Sequence, residues 1–238
     1  MAAMIRVVLF DLDDTLFHHR QAVRDGITAH VAATLPGVDA RPHADRWDEL
    51  EELHYHRYLT GELDYLGQRR ARARDFMAGF GHSFADDAAA EEWFEVYLRE
   101  YVRAWTLFDD ALPCLARLAA SGYRVGMITN GIPSFQQPKL DTLSLAAHFE
   151  HVVTSGEFGA PKPDPAIFLH TCGLFGVEPS EAAYVGDRLQ TDAVGAASAG
   201  LTGVWLLRDR EPTAGEAAAA SGVHVVRSLD ALPGILGA

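Results

Sequence analysis

The sequence predicts an α/β protein with a mostly parallel sheet and a helical domain inserted after the first strand. Three observations carry that expectation. Short β-branched and aromatic runs alternate with helical segments from about residue 108 onward. An N-terminal run of the same kind, Ile5 to Phe10, leads straight into Asp11-Leu12-Asp13-Asp14. Between them, from Phe17 to Trp105, the pattern turns helical with almost no strand signal. Strands alternating with helices imply parallel pairing through right-handed crossovers.

Ile5 to Phe10 reads as a buried strand whose C-terminal end carries polar chemistry, the place where open parallel sheets bind ligands. In the inserted stretch, helices are expected over Arg20 to Leu35, Ala44 to Tyr58 and Asp64 to Met77. A last helix starts near Asp86 or Asp87 and carries Trp93, Phe94, Tyr97, Leu98, Tyr101, Val102 and Trp105 at helical spacing. That aromatic stripe reads as a buried helix–helix seam in preference to a ligand box. Further on, Ala111 to Ala120 reads as a helix stopped by Ser121-Gly122, and Tyr123 to Ile128 as a strand ending at Thr129-Asn130-Gly131. Three more strands are expected at His151 to Thr154, Ala183 to Val185 and Gly203 to Leu207. The alanine-rich segment Ala214 to Ala220 reads as a helix or a loose connector. A weak strand at His224 to Val226 and a terminal helix follow. The domain limits this implies are 1–16 with 108–238 for the α/β part and 17–107 for the helical part.

At 238 residues and a formal charge of −13, the chain has room for a large core and lacks the clustered Lys and Arg that nucleic acid binding draws on. Its two cysteines, Cys114 and Cys172, supply neither a disulfide framework nor a zinc set and read as reduced core residues. The run Met4 to Phe10, interrupted by Arg6, does not read as a signal peptide, and no stretch is long and apolar enough to span a bilayer. The expectation is a soluble cytoplasmic protein, monomer or homodimer, that engages neither nucleic acid nor membrane.

Four motifs carry candidate chemistry. In Asp11-Leu12-Asp13-Asp14-Thr15-Leu16, residues two apart on an extended strand end face one side, so Asp11 and Asp13 can meet one ligand; two carboxylates suit a hard cation, and a plain turn with solvated acids is the alternative. Thr129-Asn130-Gly131 offers a hydroxyl, an amide and a glycine-permitted turn as donors to phosphate oxygens, or is an ordinary turn. Gly159-Ala160-Pro161-Lys162-Pro163-Asp164-Pro165 holds one lysine in a stiff loop, suited to neutralising a transferring phosphoryl group. Gly186-Asp187-Arg188-Leu189-Gln190-Thr191-Asp192 follows another strand and adds two carboxylates to the cation site.

In this order the four motifs resemble the signature of the haloacid dehalogenase superfamily, over roughly residues 4–16 and 108–207. The resemblance implies a doubly wound, mostly parallel Rossmann-like core with a small helical cap inserted after the first motif; the short spacing from Gly131 to Lys162 leaves no room for the larger cap carried there by other members. It also implies a magnesium-dependent phosphatase acting on a small phosphorylated metabolite, a phosphomonoester, through an aspartyl-phosphate. Asp11 would be the nucleophile and Asp13 the general acid and base. Mg2+ would be held by Asp11, the backbone carbonyl of Asp13, Asp187 and Asp192. Thr129, the backbone around Asn130-Gly131, and Lys162 would bind the phosphoryl oxygens. The stretch Asn130 to Leu140, with Gln136-Gln137-Pro138-Lys139-Leu140, resembles a subgroup that includes phosphatases of the N-acylneuraminate type and some nucleotidases; Lys139 reads equally as a helix-surface lysine.

Substrate choice is expected in the helical insertion. His18, His19, Arg20, the turn Leu59-Thr60-Gly61-Glu62 and the basic run Arg69, Arg70, Arg72 and Arg74 are candidates by position, most of them read as surface residues. His18 and His19, adjacent on a helix, do not share a face and are not expected to ligate one metal. A 2-haloacid dehalogenase is disfavoured by Asp13, which dehalogenases of the superfamily typically lack. A phosphotransferase or sugar-phosphate mutase keeps the whole constellation, and a non-catalytic binding protein on the same fold predicts a damaged site.

Overall fold

A computed structural model describes residues 4–39 and 41–237, so the expected limits at residues 1 and 238 lie outside the described residues. The chain divides into two compact units. One runs to His18 and resumes at Thr106; the other is His19–Trp105.

In the first unit, six strands form one all-parallel sheet: β1 (Val7–Phe10), β2 (Arg124–Thr129), β3 (His151–Thr154), β4 (Ala182–Gly186), β5 (Thr202–Leu206) and β6 (His224–Val226), in the spatial order β3-β2-β1-β4-β5-β6. β1 lies inside the sheet because its four residues, Val7, Val8, Leu9 and Phe10, are all apolar and all fully buried. A parallel strand covered on both faces needs a continuous apolar run, not alternation. Phe10 stands beside Met127 of β2 and Val185 of β4, so the segments that leave β1, β2 and β4 emerge at the same end. Strand order reverses between β1 and β4, which opens a crevice outside the carboxyl ends of the strands. Asp11 and Asp187 are the residues that follow those two strands.

Strand limits differ from the sequence expectation by one or two residues, for backbone reasons. β1 starts at Val7, not Ile5, although the Arg6 amide still donates to Glu181 O at 2.7 Å, and β5 starts earlier, at Thr202. Ala146–His148 forms a single 3₁₀ turn, and residues 189–194 form a π-type turn that no sequence periodicity announces.

The second unit contains α1 (His19–Thr34), α2 (Ala44–Leu59), α3 (Tyr65–Ala78) and α4 (Asp87–Arg103). Asp64 and Asp86 cap α3 and α4 by accepting from the Gly67 and Ala89 amides. The α4 stripe turns Phe94, Tyr97 and Tyr101 inward, while Val102 keeps 41% of its surface exposed. Trp47 of α2 is fully buried at the centre of this packing, its ring 4.7 Å from that of Tyr97 and 4.9 Å from that of Phe76. The basic run on α3 departs from the surface expectation at two positions. Arg69 and Arg72 are buried, Arg72 stacking 3.9 Å over the Trp47 ring and pairing with Glu51 at 2.9 Å, and Arg69 pairing with Glu95. Arg70 and Arg74 pair with Glu91 and Asp87. All four guanidinium groups are met by carboxylates within the unit. His19 bonds the Tyr101 hydroxyl at 2.9 Å. The turn after α2 exposes Thr60, Gly61 and Glu62, and the side chain of Leu59 lies outside the described residues.

The first unit is completed by α5 (Ala111–Ala120), α6 (Pro133–Thr142), α7 (Ser155–Phe158), α8 (Pro165–Phe175), α9 (Gly195–Ser198), α10 (Ala214–Ala219) and α11 (Leu232–Leu236). A capping box between Thr213 and Glu216 makes the alanine-rich segment a helix instead of a loose connector. One side of the sheet buries Val7, Leu9, Ile128, Phe168 and Tyr184 in a single cluster. Cys114 and Cys172 are buried and unbridged, and desolvation pushes their thiols up to about 12 and about 11. His18 stacks on Phe108 with ring centroids 3.5 Å apart, and no helix among the described residues is long and apolar enough to cross a membrane.

Gly26 of α1 shows how closely the helical unit is packed. A Cβ there would lie 2.8 Å from both the N and Cα of Tyr101, backbone atoms that cannot swing aside. Gly26→Ala is expected to destabilise the helical unit by about 1–3 kcal/mol. Urea unfolding followed by tryptophan emission measures this, since Trp47, Trp93 and Trp105 all lie in that unit.

Candidate active site

Beyond β1 the chain folds into a tight turn. The Leu12 carbonyl accepts from the Thr15, Leu16 and Phe17 amides, and the Asp14 amide donates to Phe17 O at 2.8 Å. Asp14 takes φ 60°, a left-handed conformation that a short polar side chain tolerates better than most. Asp11 itself remains on the ladder, its amide donating to Val185 O at 2.9 Å, which anchors the carboxylate at the crevice. Thr15, fully buried, directs its hydroxyl to Asp11 Oδ2 at 3.4 Å.

Lys162 joins three of the four motifs. Its Nζ donates to Asp11 Oδ1 at 2.7 Å, to Asp192 Oδ1 at 2.8 Å and to the Tyr184 hydroxyl at 2.6 Å. Burial works against the ammonium, yet Asp11 and Asp192 hold its pKa above the ordinary lysine value. The loop that carries it is gripped by Asn130, whose Nδ2 donates to Lys162 O at 3.0 Å and whose Oδ1 accepts from Lys162 N at 2.8 Å. The Asn130 side chain, expected among the phosphate donors, is thus committed to positioning Lys162. The Gly131 amide likewise donates to Ser155 Oγ at 3.0 Å. Tyr184 went unread in the sequence, since a tyrosine inside an apolar strand carries no signal beyond core packing. Its hydroxyl donates on to Ile128 O at 2.8 Å.

Asp11, Asp187 and Asp192 each offer a carboxylate oxygen, and these atoms all lie within 4.8 Å of one another. Three hard oxygen donors converging in a buried crevice fit a small divalent cation such as magnesium. Asp192 sits on the π-type turn, where its Oδ2 accepts from the Arg188 amide at 3.0 Å. The turn rests against Gly186, where a Cβ would come within 2.4 Å of the Asp192 carboxylate. Desolvation, followed by the charges of Asp192 and Asp13, raises Asp11 to about 7 against the pull of Lys162. Desolvation and the charges of Asp11, Asp192 and Asp14 raise Asp187 to about 8. Burial and the mutual repulsion of the carboxylates thus outweigh the one ammonium, surroundings that suit a cation.

The side chain of Asp13 is not part of that trio. Lys139 Nζ holds its Oδ1 at 2.6 Å and Gln136 Nε2 donates to its Oδ2 at 3.2 Å. Lys139 is 3% exposed, which removes the helix-surface reading. Thr129, also buried, accepts from Gln136 Nε2 at 2.6 Å. The i, i+3 spacing of Gln136 and Lys139, with Leu140 on the same face, was the available signal for these contacts.

Residues 5–200 match the profile of the haloacid dehalogenase-like hydrolases, and the chain belongs to that family. It is 34% identical over 233 residues to a phosphoserine phosphatase of Thermus thermophilus, with 90% of this chain and 93% of that protein covered. Human N-acylneuraminate-9-phosphatase is 29% identical over 208 residues, covering 85% and 82%. The chain thus falls in the phosphatase branch of the family. The HAD hydrolase YfnB of Bacillus subtilis, crystallised bound to magnesium, shares the fold with a TM-score of 0.78 at 21% identity, over 99% of this chain and 100% of that one.

The raised carboxyls give a signed pH dependence. Folded Asp11 and Asp187 keep protons that the unfolded chain has lost, so their contribution to stability is full below about pH 4 and is lost as pH rises through about 7 to 8. The metal-free protein is expected to melt at a lower temperature at pH 8.5 than at pH 6, and Asp187→Asn to flatten that difference; melting curves across this range check both. Gly186→Ala, which displaces the Asp192 carboxylate, is expected to weaken magnesium binding about 10- to 100-fold by calorimetric titration.

Proposed function

We propose that this hydrolase is a magnesium-dependent phosphatase that transfers the phosphoryl group of a small phosphorylated metabolite to Asp11 and then to water. The observation that carries the reading is the Asp11 carboxylate, buried at the end of β1, bonded to Lys162 and grouped with Asp187 and Asp192. In the first step an Asp11 oxygen bonds to phosphorus as the bond to the leaving oxygen breaks, and Asp13 delivers a proton to that oxygen. In the second step water attacks the aspartyl-phosphate, Asp13 takes the water's proton, and phosphate and free Asp11 are regenerated. Lys162 and the Thr129 hydroxyl neutralise and hold the phosphoryl oxygens, the positioning and charge relief on which this chemistry mainly depends. Asp11, Asp187, Asp192 and the backbone carbonyl of Asp13 would hold magnesium, which when bound supplies charge screening between phosphate and nucleophile.

The helical unit, inserted directly after the first motif, serves in this reading as a cap that excludes water and selects the leaving group. Its arginines 69, 70, 72 and 74 are taken up by carboxylates of the unit, so they are poor candidates for gripping substrate. Asp13, read as the proton carrier, favours phosphorus chemistry over dehalogenation. The enzyme is read as cytoplasmic, a monomer or homodimer, with a small-molecule partner and neither nucleic acid nor membrane, in keeping with its charge of −13.

Phosphate release from a panel of sugar, nucleotide and short-acid phosphates, with and without magnesium, tests the reading. Wild type is expected to release phosphate only with magnesium, and Asp11→Asn to lose activity by more than about 10⁴-fold. A folded wild type that releases phosphate from no member of the panel would sink it.

A further inference from the structure

We propose that Gln136 and Lys139 are positioning residues that lock the Asp13 carboxylate and the Thr129 hydroxyl into one hydrogen-bonded unit; the proposal rests on the phosphatase reading above. Both side chains project from the inner face of α6, 2% and 3% exposed. Burying an amide and an ammonium is unfavourable unless each is paired. Lys139 Nζ reaches Asp13 Oδ1 at 2.6 Å and stands 5.4 Å from the centre of the Phe17 ring. Gln136 Nε2 places one hydrogen toward Asp13 Oδ2 at 3.2 Å and the other toward Thr129 Oγ1 at 2.6 Å. Each oxygen of the acid–base carboxylate is therefore held by a different residue of one helix.

The orientation of the amide follows from its partners. Turned over, Gln136 Oε1 would face a carboxylate oxygen, acceptor against acceptor. In the orientation adopted, Oε1 is buried with no hydrogen-bond partner among the described residues. An orphaned buried acceptor carries a free-energy cost, so both amide hydrogens are kept where they are at the expense of the oxygen. Gly131 allows this approach, since a Cβ there would come within 3.0 Å of Gln136 Nε2. Because the Thr129 oxygen accepts from the amide, its own hydrogen is directed elsewhere and remains for donation to a phosphoryl oxygen. One helix face thereby sets both the carboxylate that moves the proton and a hydroxyl that binds the phosphate.

The two residues then have separable effects. Lys139 touches Asp13, so it acts on turnover; Gln136 touches Asp13 and Thr129, so it acts on turnover and on phosphate affinity. With the full chain, magnesium and the best substrate of the panel, Lys139→Met is expected to lower kcat about 10- to 100-fold while inhibition by inorganic phosphate stays within about twofold. Gln136→Met is expected to lower kcat comparably and to weaken phosphate inhibition about tenfold. In single turnovers on an Asp13→Asn background, Lys139→Met is expected to cost nothing further, because its effect passes through Asp13. Should Lys139→Met not fold, Lys139→Gln takes its place in the same cycle. Losses that add fully in the cycle, or an unchanged kcat in folded single variants, would overturn the positioning role alone. Absence of magnesium-dependent release by wild type would overturn the phosphatase reading and this proposal with it.

Discussion

The ammonium of Lys162, buried between Asp11 and Asp192 and bonded to the Tyr184 hydroxyl, is the contact on which the rest of the site depends. Three carboxylates gathered at one end of a sheet repel one another and lose hydration, and both effects favour scattering them. A single fixed cation bonded to two of them, Asp11 and Asp192, offsets part of that cost. Removing one partner from such a buried set typically costs about 3–5 kcal/mol, because the charges left behind have no water to turn to. Burial first, and the neighbouring carboxylates after it, push the carboxyls of Asp11 and Asp187 up, and such surroundings suit a further cation.

The surroundings of Lys162 follow from the need to hold that ammonium still. Asn130 gives both ends of its amide to the lysine's backbone, tying the end of β2 to the loop before α8. Tyr184 reaches across from β4 and donates its hydroxyl hydrogen bond to the carbonyl of Ile128. The Trp205 indole donates to Asp187 O at 2.8 Å, fixing the residue after β4 from the neighbouring strand. Such an arrangement is rigid because its polar members bond one another and backbone groups in or just after the strands, and rigidity is what electrostatic stabilisation of a charged transition state requires.

Close backbone approach is the second constraint. Gly186 lets the Asp192 turn press against the end of β4, and Gly203 of β5 faces the Ala193 carbonyl so closely that a Cβ would lie 2.2 Å from it. The π-type turn at residues 189–194 brings Asp192 into the crevice, where it meets Lys162. Sequence spacing offers no rule for that geometry, since a π-type turn arises from local packing and has no hydrophobic period of its own.

By itself the sequence determined the α/β class, the strand ends that carry the four motifs, the helical insertion and the membership of the phosphatase branch. Those features rest on short-range regularities: apolar runs long enough to be buried strands, helical spacing, and residue types clustered after strands. Only tertiary structure decided that Asn130 serves Lys162's backbone, that Arg69 and Arg72 are buried and paired, that Tyr184 completes the lysine's coordination and that Lys139 is an interior residue holding Asp13. Each of those is a polar contact between residues distant in the chain. A side chain's type states what it can bond, but which partner it meets is set by how the strands and helices pack.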